Sequence, residues 1–317
     1  MKKSIAIIVG GTGQFGVLLA EKLLKKKYKV IITTRSINKA KKKIAKKKIN
    51  IKKLDIFNKN EIKKLLFKYK PGIIFYTASQ SSPGKSFEKK KETYLSNYIG
   101  CKNFLEIIKK NKFDSKFINF SSCEIYGNYK KKISVESPKK PISPYGFAKL
   151  KAHNKTKYYR EKYNLKFYNA IIFNTESLFR PKNFLVPKIC IAAINAKKKN
   201  IKTEFGNLNI SREWNWCEEQ CKYLMMFINR EPQDFILSNG KSFSAIHLMK
   251  LAFSYFNLDY KKYILVNKKF MRKKDSKIKI SNYRKCLRRN KIIRKDKFYG
   301  KKMIYTLIRY YLHEKKY

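Results

Sequence analysis

The sequence predicts an α/β protein with a doubly wound parallel sheet, followed by a smaller, irregular C-terminal domain. Three observations predict it. Short apolar runs alternate with amphipathic stretches through roughly the first 175 residues. A glycine-rich loop directly follows the first of those runs. The alternation then stops after Asn174, where Pro181, Pro187, Gly206-Asn207 and Trp214-Asn215-Trp216 interrupt it. Strands alternating with helices give a parallel sheet with right-handed crossovers.

Residues 5–9 form a β-branched run, as a strand buried on both faces requires. A helix is expected over 15–26, with Leu18, Leu19, Leu23 and Leu24 on its inner side. Further strands are expected at 29–34, 49–54, 73–78 and 117–121, with helical stretches between them. A long helix over 145–163 and a strand at 167–173 complete the first domain, placed at 1–175. The second domain occupies 176–317, with room for some later strands or helices to return to the first. Near the end, the spacing of Ile304, Leu307 and Tyr311 reads as an ordinary terminal helix within a lysine-rich stretch.

The chain has 317 residues, 43% of them hydrophobic, so it has ample material for a large core. The net charge of +56 is extreme. The lysines are spread along the whole chain, as in Lys25-Lys26-Lys27 and Lys197-Lys198-Lys199, and no nucleic-acid motif accompanies them. Compositional drift toward lysine is therefore the reading, and no nucleic-acid partner is expected. A field of this sign still attracts anionic small molecules. Six scattered cysteines lack a disulfide framework and fit a reducing compartment. Cys217 and Cys221 read as packing residues. The three histidines are isolated along the chain, so no histidine-based catalytic or metal cluster is expected. The apolar run at 5–9 is too short for a signal peptide, and no stretch approaches the length of a membrane span. A soluble, cytoplasmic protein follows.

The loop is Gly10-Gly11-Thr12-Gly13-Gln14-Phe15-Gly16, between a strand and a helix. Its glycines permit a tight turn and a close approach of backbone to a pyrophosphate. The helix N-terminus adds unpaired N–H donors and partial positive charge. A nicotinamide dinucleotide is the expected cofactor, with Gly10, Thr12, Gly13, Gln14, Phe15 and Gly16 around it. Asp55, after the third strand, is placed to accept from the adenine amino group; its structural alternative is a cap for the helix beginning near Asn58. Where an acidic residue would grip the ribose hydroxyls, the second strand ends in Thr34-Arg35-Ser36. A guanidinium and two hydroxyls suit a 2′-phosphate, which favours NADP over NAD.

A second constellation is Ser143-Pro144-Tyr145-Gly146-Phe147-Ala148-Lys149. Residues four apart share a helix face, so Tyr145 and Lys149 reach one site. A tyrosine ionises near pH 10, and a neighbouring ammonium favours the phenolate, which then serves as a base nearer neutrality. Upstream, the fifth strand ends in Ser121-Ser122-Cys123-Glu124-Ile125-Tyr126-Gly127.

Glycine loop, strand-end serine and the Tyr-x-x-x-Lys pair, in this order, resemble the extended short-chain dehydrogenase/reductase family, which acts on nucleotide sugars. Glu124 within the serine-rich segment resembles the sugar-nucleotide 4,6-dehydratases rather than the epimerases. Cys123 stands where the dTDP-glucose branch carries aspartate. Ala78-Ser79-Gln80-Ser81, Phe173-Asn174-Thr175-Glu176-Ser177, Gly206-Asn207-Leu208 and Arg212-Glu213-Trp214 are similar to the GDP-mannose 4,6-dehydratase family, over roughly residues 4–275.

The resemblance implies a Rossmann domain and a sugar-nucleotide-binding domain. It implies a catalytic set of Ser122, Glu124, Tyr145 and Lys149. Ala78 and Gln80, with Tyr145 and Lys149 themselves, join Arg35 and Asp55 as cofactor contacts. Ser81, Asn174, Glu176, Asn183, Lys188, Arg212 and Arg272 become substrate contacts, with GDP-mannose the favoured substrate. In the implied mechanism, Tyr145 deprotonates the C4 hydroxyl while NADP takes the hydride. Glu124 then removes the C5 proton as water leaves C6, and the hydride returns to C6. The resemblance also implies a homo-oligomer, dimer or tetramer. The stretch after Arg35 is shorter than the family's subunit-contacting loop, and Phe179, Pro181 and Pro187 replace two arginines and a glycine of the family pattern. Two other readings stand beside this one. One is an epimerase or 4-keto-reductase of the same family; the other is a non-catalytic NADP-binding sensor with a basic partner surface.

Overall fold

The computed structural model describes residues 4–44, 49–271 and 276–314. From β1 (Ile5–Val9) the chain runs through α1 (Gln14–Lys25), β2 (Lys29–Thr34), α2 (Ile37–Ile44), β3 (Asn50–Lys53) and α3 (Lys59–Tyr69). It continues through β4 (Ile73–Tyr76), α4 (Lys90–Tyr94), α5 (Gly100–Lys110), β5 (Lys116–Ser122), α6 (Pro144–Tyr163) and β6 (Phe167–Ile172). Then come β7 (Thr175–Glu176), α7 (Leu185–Lys199), β8 (Thr203–Phe205), β9 (Ser211–Glu213), β10 (Asn215–Trp216), α8 (Cys217–Phe227) and β11 (Asp234–Leu237). The last elements are β12 (Ser242–Ser244), α9 (Ala245–Ser254), β13 (Ile264–Val266), β14 (Ile278–Lys279), α10 (Tyr283–Arg289) and α11 (Gly300–His313).

The chain divides into two compact units. The first comprises Met1–Gly127, Val135–Ile172 and Cys221–Leu237; the second comprises Asn128–Ser134, Phe173–Gln220 and Ser238–Tyr317. The first unit leaves the expected alternation near Phe173 and takes back a later segment, which supplies its last strand.

The expected doubly wound sheet is present. Seven strands lie in the order β11-β6-β5-β4-β1-β2-β3, and every pairing is parallel. The order reverses direction between β1 and β4, and that switch point is where an open parallel sheet leaves a crevice at its strand C-termini. One sheet face carries Ile7, Val9, Ile31, Ile74, Tyr76, Phe117 and Phe167. They pack on Ile62 and Leu66 of α3, Phe104 and Ile108 of α5, and Ala152 and Tyr159 of α6. Continuous apolar strands are what burial on both faces demands.

Local chemistry fixes the element ends. The Ser143 hydroxyl caps α6 by accepting from Gly146 N at 3.1 Å, Pro144 occupies the first turn, and Asn164 ends the helix in a left-handed conformation. At α3, Asp55 accepts from Phe57 N at 2.9 Å, whereas the cap is Asn58, which accepts from Asn60 N and Glu61 N. The capping alternative considered for Asp55 is thus corrected, because the helix starts one residue beyond Asn58, too far on for Asp55 to reach its amides. The predicted fourth strand, 73–78, ends at Tyr76. There the Thr77 hydroxyl donates to Val9 O at 2.8 Å, and the chain turns against the glycine loop.

In the second unit α7, α9 and α11 enclose a core of Val186, Ile189, Leu248, Met249, Met303, Ile304 and Leu307 around Trp214 and Trp216. Glu213 is fully buried and staples this unit. Its carboxylate accepts from Gly240 N at 2.9 Å, from the Ser281 hydroxyl at 3.0 Å, and from the Ser238 hydroxyl. Burial raises its pKa to about 7, against the lowering effect of those hydrogen bonds and of Arg294. Glu176, 1% exposed, is likewise raised to about 7 by burial, with Arg180 opposing. A carboxyl with a raised folded pKa binds a proton that the unfolded chain releases. Stability therefore falls as pH rises from about 4.5 to about 7 and levels above that. Urea unfolding across this window should show that slope, and Glu176→Gln should make it shallower. An unchanged slope in the variant would refute the assignment.

All six cysteines are buried, and among the described residues none forms a disulfide. Cys217 and Cys221 pack as expected. The terminal helix buries Ile304 and Leu307. Among the described residues, no helix is long and apolar enough to cross a membrane.

Candidate active site

The loops after β1, β4 and β5 emerge at adjacent strand ends beside the switch point, and they carry the residues singled out in the sequence. In the glycine loop, Gly10 has a φ of +79°, and a Cβ there would lie 2.6 Å from Ala78 Cα. Only glycine fits. A Cβ on Gly16 would lie 2.5 Å from the Gly11 backbone, and one on Gly11 2.5 Å from Ile32 Cβ. These positions bring α1 hard against the loop and β2. Gly13 is different: a Cβ there meets nothing nearer than 3.9 Å, and the residue is exposed. Gly13 caps α1 with no side-chain hydrogen bond, and no acidic residue occupies the first turn. The helix N-terminus therefore offers backbone N–H groups with partial positive charge, beside a glycine whose bareness leaves room for an approaching group.

The Phe15 ring stands edge-on to Phe120 of β5 at 5.1 Å, tying the start of α1 to the central strand. Arg35 is exposed at the end of β2. Thr34 and Ser36 close a turn there, with Ser36 N donating to the Thr34 hydroxyl at 3.1 Å. Ala78 and Gln80 follow β4. Gln80 N donates to the Ser96 hydroxyl at 3.1 Å and its amide group to Ser82 O at 3.1 Å, which shapes the loop that exposes Ser81.

The tyrosine–lysine pair sits on the first turns of α6, and both side chains are buried. Lys149 Nζ donates to Phe120 O at 2.7 Å and lies 5.8 Å from the centre of the Tyr145 ring. Burial lowers the Lys149 pKa to about 8, with Cys101 opposing. Tyr145 N donates to the Ser86 hydroxyl at 3.2 Å, so the loop after β4 is hung on the start of α6. Ser122 ends β5, and its hydroxyl accepts from Glu124 N at 3.2 Å, capping the short 3-10 turn Cys123–Tyr126. A Cβ on Gly146 would lie 2.7 Å from Glu124 O. The glycine after Tyr145 thus lets the helix close on the Glu124 turn, so that the backbone carrying Ser122 and Glu124 lies against the helix start that carries Tyr145 and Lys149.

Of the expected substrate residues, Ser81 lies in the first unit and Asn174, Glu176, Asn183, Lys188 and Arg212 in the second. Asn174 O accepts from both Asn215 N and the Asn215 amide group, each at 2.9 Å. Glu176 pairs with Arg180 Nε at 3.7 Å, and the Arg180 guanidinium stacks 3.7 Å from the Phe184 ring centre. Asn183 is exposed. Lys188 Nζ lies 4.8 Å from the Phe205 ring centre and 4.6 Å from that of Phe270. Gly206 makes that cradle possible, since a Cβ there would fall 2.2 Å from Phe270 O. Arg212 is 2% exposed, and its guanidinium donates to the main-chain oxygens of Ser211, Ser276 and Lys277. Arg272 lies outside the described residues.

Sequence reasoning missed Thr77, Ser86 and the bracing role of Gly146. Each acts through backbone placement, which no local pattern announces. It also left His153 isolated. In the fold His153 Nδ1 lies 3.1 Å from the Ser121 hydroxyl and Nε2 lies 3.1 Å from an Asp234 carboxylate oxygen.

Comparison with known proteins agrees with this architecture. Over 96% or more of its length the chain superposes on nucleotide-sugar enzymes of known structure. A dTDP-glucose 4,6-dehydratase from Streptomyces venezuelae matches with a TM-score of 0.85 at 16% identity, covering 98% of this chain and 97% of that one. A UDP-N-acetylglucosamine 4-epimerase from Methanobrevibacter ruminantium matches with a TM-score of 0.84 at 18% identity, covering 99% and 100%. The fold is thus common to dehydratases and epimerases, and sequence separates them. The GDP-mannose 4,6-dehydratase of Vibrio cholerae is 31% identical over 259 residues, 77% of this chain and 69% of that protein. GDP-mannose 4,6 dehydratase 2 of Arabidopsis thaliana is 29% identical over 295 residues, 85% and 77%. With the family model for GDP-mannose 4,6 dehydratase matching residues 7–298, the chain belongs to that family.

Proposed function

We propose that the protein is a sugar-nucleotide 4,6-dehydratase that converts GDP-mannose to GDP-4-keto-6-deoxymannose with NADP. The observation that carries the reading is the packing of the turn bearing Ser122 and Glu124 against the helix start that bears Tyr145 and Lys149. One base serves an alcohol and a separate carboxylate serves a carbon acid. The glycine loop fits a dinucleotide: Gly10 and Gly16 tolerate no Cβ, and Gly13 begins α1 with no side chain over the helix N-terminus. When bound, the cofactor supplies a reversible store for the hydride that leaves C4 and returns to C6.

The residues do the rest. Tyr145 accepts the C4 hydroxyl proton. Lys149, held by Phe120 O, brings positive charge close to that phenol, and Ser122 offers its hydroxyl to the sugar oxygen. The C4 ketone acidifies C5. Glu124 takes the C5 proton while the C6–O bond breaks and passes it to the departing hydroxide, which leaves as water; a solvent proton later returns to C5 as Tyr145 releases the one it holds. The net loss is one water. Asn183 and Lys188 are proposed to meet the nucleotide phosphates. Six buried cysteines outside any disulfide support a reducing, cytoplasmic compartment, and a homo-oligomer is the proposed assembly.

Arg35 is the group proposed to meet the 2′-phosphate. Arg35→Asp should cut the preference for NADP over NAD by about tenfold or more, as the loss of one charge-assisted hydrogen bond implies. Dissociation constants for both cofactors would measure it, and an unchanged ratio would refute the assignment. The reaction itself is tested by mass spectrometry of the protein incubated with NADP and a panel of sugar nucleotides. Loss of one water from GDP-mannose is the expected result; inertness toward every sugar nucleotide would overturn the proposal.

A further inference from the structure

Three buried side chains lie four residues apart on one face of α6: Tyr145, Lys149 and His153. Lys149 grips Phe120 O, and His153 grips the next residue of β5, with Nδ1 3.1 Å from the Ser121 hydroxyl. The residue after that is Ser122. Two successive positions leading into the strand-end serine are thus held from the same helix.

His153 is itself braced. Its Nε2 faces Asp234 Oδ2 of β11 at 3.1 Å. The other oxygen of that carboxylate accepts from Arg160 at 2.7 Å and from the Asn169 amide group at 2.9 Å. The Asn169 amide group also donates to His153 O at 3.0 Å, and Asn169 Oδ1 accepts from Asn119 of β5 at 2.8 Å. Burial alone would raise the Asp234 pKa, but His153 and Arg160 hold it far below the usual carboxylate range. An ionised Asp234 favours the tautomer with the proton on Nε2. Nδ1 is then an acceptor for the Ser121 O–H, in the way that a partner on one imidazole nitrogen fixes the role of the other. The order serine–histidine–aspartate is that of a hydrolytic triad. Here Ser121 is 2% and His153 1% exposed, so the set is a strut inside the sheet and not a nucleophile.

We propose that His153, braced by Asp234, is a positioning residue: through Ser121 it holds the end of β5 in register with α6 and so sets Ser122 against Tyr145. The turnover arm of the test rests on the dehydratase reading; the structural arm does not. His153→Leu removes the acceptor, His153→Asn keeps a side-chain oxygen near the Nδ1 position, and Ser121→Ala removes only the donor.

If a misplacement of about 1 Å costs about a hundredfold, kcat of His153→Leu should fall by roughly that factor while KM changes little. His153→Asn should restore most of it. Ser121→Ala should cost as much as His153→Leu, and the double variant no more than either, because the two residues act as one unit. Equal kcat in all variants would overturn the proposal, as would losses that multiply in the double variant. Should His153→Leu not fold, Ser121→Ala and His153→Asn carry the same comparison. If the wild type turns over no sugar nucleotide, the dehydratase reading fails alone. Crystal structures of Ser121→Ala and His153→Asn then decide. Ser122 displaced in the first and in place in the second supports the proposal, and Ser122 unmoved in both overturns it.

Discussion

Tyr145→Phe is expected to lower kcat on GDP-mannose by about a thousandfold, within the range that a positioned acid–base group contributes. The ring is buried at the start of α6, so phenylalanine fills the same space and only the hydroxyl is lost. The main-chain link from residue 145 to Ser86 does not depend on the side chain and survives. The fold should therefore be kept, and steady-state kinetics alongside a cofactor binding isotherm can separate a loss of chemistry from a loss of binding. The loss should appear in kcat rather than KM, because proton removal from the C4 hydroxyl belongs to the transition state. A variant retaining kcat within about tenfold of wild type would show that another group is the base.

Glu124→Gln should be as damaging to net turnover but should fail at a different step. Glutamine preserves the size of the side chain and leaves untouched the backbone N–H that donates to Ser122, so the 3-10 turn stays in place. With Tyr145 and Lys149 intact, the C4 hydroxyl can still be oxidised. Without the carboxylate, the C5 proton is not removed and no water leaves. The expected signature is an absorbance of reduced nicotinamide that persists on mixing with GDP-mannose. Incorporation of solvent deuterium at C5 should be lost, and turnover should fall by about two to four orders of magnitude. This variant also discriminates between reactions that share the fold. A 4-epimerase needs no carbon acid chemistry at C5, so undiminished turnover in Glu124→Gln would remove the dehydratase reading. Gly146 bears on the same point, because a Cβ 2.7 Å from Glu124 O would push the turn away from the helix.

Much of the first unit was legible in the sequence because a parallel strand buried on both faces leaves a local signal. The runs at Ile5–Val9, Lys29–Thr34 and Phe167–Ile172 are apolar and bounded by turn residues. The glycine loop and the Tyr145–Lys149 spacing were equally legible, since close approach and helical period both act over a few residues. The second unit was less so. Its strands β7 to β10 are two or three residues long and pair with distant segments, so no period reveals them. The return of Cys221–Leu237 to the first unit was foreseen only as a possibility, because a single strand carries no mark of the sheet it joins. The surroundings of Arg212 show the same limit. The residue was found by its motif, but the three carbonyls that surround its guanidinium come from Ser211, Ser276 and Lys277.

By itself the sequence determined the doubly wound sheet and the place of the glycine loop between its first strand and helix, and it put forward Tyr145, Lys149, Ser122 and Glu124 as the candidate set. Each depends on chemistry within a few residues of chain. Only the tertiary structure decided how that set is held. Ser86 anchors Tyr145, Phe120 O anchors Lys149, and an aspartate 81 positions beyond His153 turns an isolated histidine into a brace on β5. The physical reason is that a buried polar group must find partners wherever the fold brings them, and in a parallel sheet neighbouring strands are far apart in sequence.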